Sequence, residues 1–401
     1  MVTLPMAGAP LVCIDFWCRA GSTAELAGES GMAHFLEHMV FKGSQGLPAG
    51  AFDRRIEALG GNSNAATGFD DVHFHVLIPP DGAEEALNLL LDLVLRPVLE
   101  EEAFGMERQV VLEELAQSED QPEEVAVQRL LALACPDHAY GEPILGRRRE
   151  LLDHSPATMR AFHDRQYAAG RCLLVISGAV AGAGLLEAAA SGPLAFLPQA
   201  ALDQAAGEGP PPRLSVHPGR HSLTLERLEA ARLLMAWWQP PASDLDGVMG
   251  ADLATTVLAE GRRSRLVERL REQLRIVESI DLDLHPLECG SLALLEAVCG
   301  PDQLPQVQQA IETVWQDVMA RPVTSAEWGR ARRLVANGYR FALESAGGVA
   351  GLLGSHHLWG RHHGLEAPLA QLEHWSPERL RDQALSRLDP GQACILEVLP
   401  A

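Results

Sequence analysis

Apolar positions in the first half of the chain recur with two different periods. The runs 11–17 (LVCIDFW) and 72–78 (VHFHVLI) are short and rich in β-branched and aromatic residues, the composition of strands set against a core, and 172–178 (CLLVISG) reads as a buried strand. Around them, apolar spacings of three and four predict helices over 31–39, 51–59, 83–95 and 100–116. Strands and helices are interleaved, which points to an α+β fold. In the second run His73 and His75 share one strand face, because alternate residues point the same way. A solvated or hydrogen-bonded strand face is the expected role of that pair, ahead of a metal site.

The pattern breaks at 205–213 (AAGEGPPPR), where glycine and consecutive prolines preclude helix and favour an extended connector. A chain of 401 residues exceeds what one compact core holds. The break therefore gives an N-terminal domain over 1–205, a linker over 206–220 and a C-terminal domain over 221–401. The two parts also resemble each other. Arg96-Pro97-Val98, followed by Glu102, Arg108 and Val110, recurs 225 residues later as Arg321-Pro322-Val323 with Glu327, Arg333 and Val335. Each copy follows an amphipathic helix (84–95 and 306–320), and six matches in one register indicate an internal duplication.

The chemistry sits on the first predicted helix. His34-Phe35-Leu36-Glu37-His38 reads H-x-x-E-H. Positions i and i+4 share a helix face, so His34 and His38 present two imidazoles to one point, with Glu37 on the neighbouring edge. This is the donor pattern of an inverted zinc-peptidase motif: zinc with three protein ligands keeps one position open for water, and an adjacent carboxylate takes the water's proton. A third ligand is required. Glu107 and Glu114 lie two turns apart on one face of the fourth helix, whereas Glu113 is turned about 100° away. Spacing alone lets both acids face one site, and equally lets them form an ordinary solvated acidic face.

The ordered series around these residues resembles the pitrilysin/insulinase family of zinc metallopeptidases, most closely its shorter, processing-peptidase-like members. Ala20-Gly21-Ser22 precedes the motif and Phe41-Lys42-Gly43-Ser44 follows it; 57–67 (EALGGNSNAAT) resembles the family's G-G-x-x-N-A-x-T strand. A later segment, 140–146 (YGEPILG), also matches, with Glu142 at a position that is usually basic. The resemblance implies two homologous α/β-sandwich halves, each a largely antiparallel sheet packed with helices. It implies one Zn2+ per chain held by His34, His38 and Glu114, with Glu37 as catalytic base and Glu107 as a helper glutamate. Asn64, Ala65 and Ala66 would lie on a strand whose edge accepts substrate as an added strand. The duplication agrees: at the same offset Glu107 becomes Arg332 and Glu114 becomes Tyr339, and the second half has no H-x-x-E-H. The expected activity is zinc-dependent endopeptidase cleavage of unfolded or precursor peptides, with the C-terminal half enclosing the substrate. The family usually carries a further strand ahead of Val12, and the sequence leaves open whether the N-terminal edge lies upstream.

One departure changes the expected assembly. Segment 261–279 resembles the family's glycine-rich turn, helix and L-R-E-K-x-G-L-x-Y-S stretch, in which an arginine and a tyrosine seven residues later hold substrate or its oxyanion. Arg271 matches the arginine, but Glu278 replaces the tyrosine, and a carboxylate donates no hydrogen bond unless protonated. The expected assembly is a heterodimer whose related partner lacks the zinc motif and supplies the Arg/Tyr pair; a homodimer with a modified anchor is the alternative. Non-catalytic structural or assembly subunits also belong to this resemblance, but they usually lose a ligand or the base, and here all five residues are present. The arginines between Arg262 and Arg275 are expected to pair with Glu268 and Glu272.

Composition narrows the partners further. A formal charge of −22 argues against non-specific nucleic-acid binding and against attraction to anionic membranes. No apolar run approaches the length of a membrane span, and residues 1–10 lack the basic region and long apolar core of a secretory signal. The seven cysteines are scattered, with no C-x-x-C pair, and suit buried positions in a reducing cytoplasm.

Overall fold

The computed structural model describes residues 1–180, 184–197 and 212–401, and among these ten strands form two five-stranded sheets. The first contains β1 (Val2–Pro5), β2 (Val12–Cys18), β3 (Asn62–Thr67), β4 (Val72–Ile78) and β5 (Cys172–Gly178), in the order β1-β5-β2-β4-β3. β1 runs parallel to β5 and the other pairs are antiparallel. β1 supplies a strand ahead of Val12; at four residues its pattern is too short to read from sequence. Alternation along β2 and β4 divides the faces. Ile14, Phe16, Phe74 and Val76 enter one core with the helices α1 (Met32–Val40), α2 (Ala51–Ala58), α3 (Ala83–Leu95) and α4 (Glu101–Glu119). Cys13, Trp17 and Val175 enter another, covered by Val349, Ala350 and Leu353 of helix Ala346–His357.

The second sheet contains β6 (Gly219–Leu225), β7 (Ala231–Gln239), β8 (Ser279–His285), β9 (Ser291–Cys299) and β10 (Cys394–Pro400), in the order β6-β10-β7-β9-β8. β6 runs parallel to β10 and the rest are antiparallel. Strand for strand, this repeats the order and sense of the first sheet. Helices Leu304–Ala320 and Ser325–Ala342 follow β9 as α3 and α4 follow β4, so the six matched residues mark a duplicated fold. Helix Leu245–Ala259 occupies the place of α1 between the second and third strands, carries no histidine and is buried almost throughout.

The compact units are not separated by one cut near residue 205, as the sequence suggests. One comprises Met1–Ala116, Pro143–Pro210 and Arg340–Leu365; the other comprises Gln117–Glu142, Pro211–Tyr339 and Glu366–Ala401. Each apolar sheet face needs a cover, and a helix remote in sequence provides it. Helix Pro122–Ala134 packs on β7 and β10 of the second sheet, while Ala346–His357 packs on β2 and β5 of the first. Of the expected linker, 206–211 lies outside the described residues, and β6 already begins at Gly219.

The arginine-rich segment pairs only partly as expected. Arg262 and Arg271 reach Glu272 at 3.2 and 3.0 Å, but Arg265 forks onto Glu327 at 2.8 and 3.2 Å and reaches Asp317 at 3.3 Å. Burial pushes the Glu327 carboxyl up, yet the bonds from Arg265 and Thr324 outweigh it and hold the group at about 2. Its folded value lies below the unfolded one, so the stabilisation is fully present above about pH 4.3 and is lost as pH falls toward 2. Arg265→Gln is expected to cost about 1 kcal/mol at pH 7, since water screens a partly exposed pair, and the gap from wild type is expected to close near pH 2. Urea unfolding of both proteins at the two pH values measures it.

Candidate metal centre

Helix α1 is fixed in rotation by Met32, Phe35, Leu36, Met39 and Val40, all buried at helical spacing. That leaves His34, Glu37 and His38 along its flank. The helix begins at Gly31, whose φ of 82° is left-handed. A Cβ on Gly31 would come within 2.8 Å of Gly146 Cα, and one on Gly146, at φ 85°, within 2.5 Å of Gly31 Cα. The two backbones touch, which accounts for the glycine closing segment 140–146. Glu25 accepts the amides of Gly31 and Ala33 at 3.1 and 2.9 Å, satisfying donors that a helix start leaves open. Burial pushes its carboxyl up to about 8. Gly146→Ala forces both a left-handed alanine and a backbone clash; it is expected to cost at least ~1–2 kcal/mol and to lower zinc content together with the unfolding midpoint.

The donors of α1 meet α4 through Glu114. Nε2 of His34 and Nε2 of His38 lie 3.6 and 3.4 Å from the same oxygen, Glu114 Oε2. One ligand atom from each of the three falls within 4.8 Å of the others. Burial, with the neighbouring His38 adding to it, pushes the His34 imidazole down to about 4, so it is neutral at neutral pH. At 3.6 Å it makes no hydrogen bond to Glu114. Ligands held 2.0–2.2 Å from a tetrahedral zinc are about 3.4 Å from one another, close to the spacing between Glu114 and each histidine. The residues present therefore fit zinc.

Two further carboxylates frame the donors. Thr67 Oγ1, at the end of β3, donates to Glu37 Oε2 at 2.5 Å. Burial raises the Glu37 carboxyl above the ordinary range, against the opposing effect of the Thr67 bond. His38 Nδ1–H donates to Glu107 Oε1 at 2.9 Å, which leaves Nε2 turned toward Glu114. Glu107 is itself buried and is held by Lys42 Nζ at 2.6 Å. Burial raises Glu107, but the bonds from His38 and Lys42 more than offset it and its carboxyl sits low; the bond to Glu107 in turn raises His38.

His34, Glu37, His38, Glu107 and Glu114 thus come together in one unit. β3 borders this group through Thr67 and is an edge strand, paired on one side with β4. Asn64 and Ala66 are exposed on it, Ala65 is half-buried, and the Ala65 amide donates to Asn64 Oδ1 at 3.0 Å. Arg271 belongs to the other unit, in the π-helical stretch Val267–Gln273, where Glu272 engages it. Glu278 is exposed just ahead of β8, its amide bonded to Val298 O at 2.8 Å.

Glu25, Lys42 and Thr67 carry contacts that sequence spacing did not assign. Lys42 and Thr67 lie inside the segments that resembled the family, and period-two alternation sets Thr67 on the side of β3 opposite Asn64 and Ala66. Glu25 gave no signal, because its partners lie across a turn.

Comparison with known proteins follows the same outline. Residues 2–148 match the family model described as insulinase (peptidase family M16), and residues 154–335 match the one described as peptidase M16 inactive domain. An uncharacterised zinc protease of Mycobacterium leprae is 27% identical over 383 residues, spanning 92% of this chain and 82% of the relative. The mitochondrial-processing peptidase β subunit of Blastocladiella emersonii is 32% identical over 176 residues, spanning 44% of this chain and 38% of the relative. A solved protease from Helicobacter pylori has a TM-score of 0.89 at 22% identity, covering 99% of this chain and 96% of its own. A peptidase M16 inactive domain from Pseudomonas fluorescens also has a TM-score of 0.89, at 18% identity, covering 100% and 95%. The solved structures share the fold.

Proposed function

We propose, from the premise that the chain belongs to the insulinase (M16) family of peptidases, that it is a zinc-dependent endopeptidase acting on unfolded or precursor peptides. The convergence of His34, His38 and Glu114 beside the Glu37 carboxylate carries this proposal. A zinc ion bound by those three residues supplies Lewis acidity, acidifying water and polarising a peptide carbonyl. Glu37 takes the proton of the attacking water on a carboxylate oxygen and returns it to the leaving amine. Burial raises its carboxyl, which favours taking the proton from water during attack. Thr67 holds the carboxylate in place, and Glu107, steadied by Lys42, orients His38. Glu107 acts through His38, so its role is positioning.

A peptide would add to the open edge of β3, where backbone hydrogen bonds bind it with little side-chain selection and the small Ala65 and Ala66 permit close approach. The second half repeats the fold without the chemistry. Arg332 pairs with Glu373, and burial pushes the Tyr339 hydroxyl up to about 12. With Arg271 engaged by Glu272 and a carboxylate at position 278, oxyanion donors come from elsewhere. The chain is therefore the catalytic subunit of a heterodimer, and a related subunit without the H-x-x-E-H motif supplies the Arg/Tyr pair. Cleavage of a quenched mixed-peptide library by the zinc-supplemented chain, alone and co-expressed with such a subunit, tests this. Activity only in the pair is the expected result. Activity of the chain alone contradicts the need for a partner, and zinc binding without cleavage in either sample supports a non-catalytic assembly role.

A further inference from the structure

A second group of donors lies on the sheet face turned away from α1. Asp15 on β2 and His73 and His75 on β4 each place one ligand atom within 4.8 Å of the others. The register explains the meeting. Asp15 stands opposite His75 and Trp17 opposite His73, and alternation turns all four away from Phe16 and Phe74, which enter the core of α1.

The cluster is built from rigid parts. The His73 ring stacks on Trp17 with centroids 4.2 Å apart and planes 14° from parallel, and the His75 ring stacks on His73 at 5.6 Å and 17°. Trp17 packs against Gly354, where a Cβ would come within 2.2 Å of the indole. His73 Nδ1 and Asp15 Oδ1 are 3.0 Å apart, and Asp15 is only 3% exposed. The hydrogen-bonded strand face expected from sequence accounts for these two residues. It does not account for His75, whose Nδ1 is buried with no hydrogen-bond partner among the described residues.

We propose that Asp15, His73 and His75 form a second binding site for a divalent transition-metal ion, separate from the His34, His38 and Glu114 site. Two imidazoles and a carboxylate are a donor set taken by zinc and by neighbouring first-row ions such as Co2+, and disfavoured by hard cations that prefer all-oxygen sites. Each residue binds as its deprotonated donor, so the ion takes the place of the hydrogen shared by His73 and Asp15 and gives the unpaired His75 a partner. His73 and His75 are half-exposed, which leaves the ion a route in and room for exogenous ligands. A bound ion ties β2 to β4, directly behind the edge strand β3.

Stoichiometry of the full chain tests the proposal. Chelator-stripped protein is titrated with Zn2+ against a chromophoric chelator, and with Co2+ followed by its visible absorption. Wild type is expected to take two equivalents. His38→Ala/Glu114→Gln is expected to keep one, as is His75→Asn, and combining all three substitutions is expected to leave none. Zn2+ is also expected to raise the unfolding midpoint of His38→Ala/Glu114→Gln but not of the triple variant. A single equivalent in wild type that is lost in His38→Ala/Glu114→Gln overturns the proposal, as does any result in which that variant takes none. A second equivalent that survives His75→Asn also overturns it and directs attention to the histidines at 356, 357, 362 and 363. Circular dichroism checks the folding of each variant; should His75→Asn fail to fold, the His38→Ala/Glu114→Gln stoichiometry alone decides.

Discussion

Glu37→Gln is expected to leave the protein folded and able to bind zinc, and to lower peptide cleavage by at least ~10²–10⁴-fold, the usual contribution of a general base and acid. The substitution keeps the shape of the side chain, and the glutamine oxygen still accepts the bond that Thr67 Oγ1 donates to Glu37. What it removes is an oxygen able to take and return a proton. Glu37 is not among the three donors that converge on one point, so metal affinity should be nearly unchanged. Zinc content, unfolding midpoint and cleavage rate of the same preparation separate the possibilities. A variant that keeps its zinc and still cleaves at the wild-type rate contradicts the role assigned to Glu37.

Glu114→Gln and His38→Ala are each expected to weaken zinc binding strongly, by more than the ~10–100-fold cost of losing an outer partner. Glu114 Oε2 is the atom both histidines face, and an amide oxygen there carries no charge to offset the ion. Glu107→Gln should fall within that ~10–100-fold range, because it leaves the donors in place and loosens His38 instead. Competition titration against a chelator ranks the variants. If Glu107→Gln weakens zinc as much as Glu114→Gln, Glu107 is a ligand, and its bonds to His38 and Lys42 do not describe the loaded site.

The central elements were legible because their periods are strong. The bounds read for β4, β5 and α3 coincide with those observed, and α1 is shifted by one residue. That His34 and His38 share a face beside Glu37 follows from the H-x-x-E-H motif on a helix, whereas choosing between Glu107 and Glu114 required the family resemblance. The structure brings both acids to the histidines and sets them on different nitrogens of His38, Glu107 on Nδ1 and Glu114 on Nε2. The unit boundary was not legible, because Pro122–Ala134 and Ala346–His357 are assigned by the sheet face each covers, and burial of that kind leaves no local signal. Thr67, Lys42 and Glu25 were hidden for the same reason: each acts where the fold carries it, and its own neighbours in sequence do not reveal it.

The most direct test of the account is an anomalous difference map collected at the zinc absorption edge from crystals of the zinc-loaded chain. The account predicts a peak bounded by His34 Nε2, His38 Nε2 and Glu114 Oε2, with Glu37 beside it and outside bonding distance. Zinc-containing crystals with no peak between those three residues would contradict it.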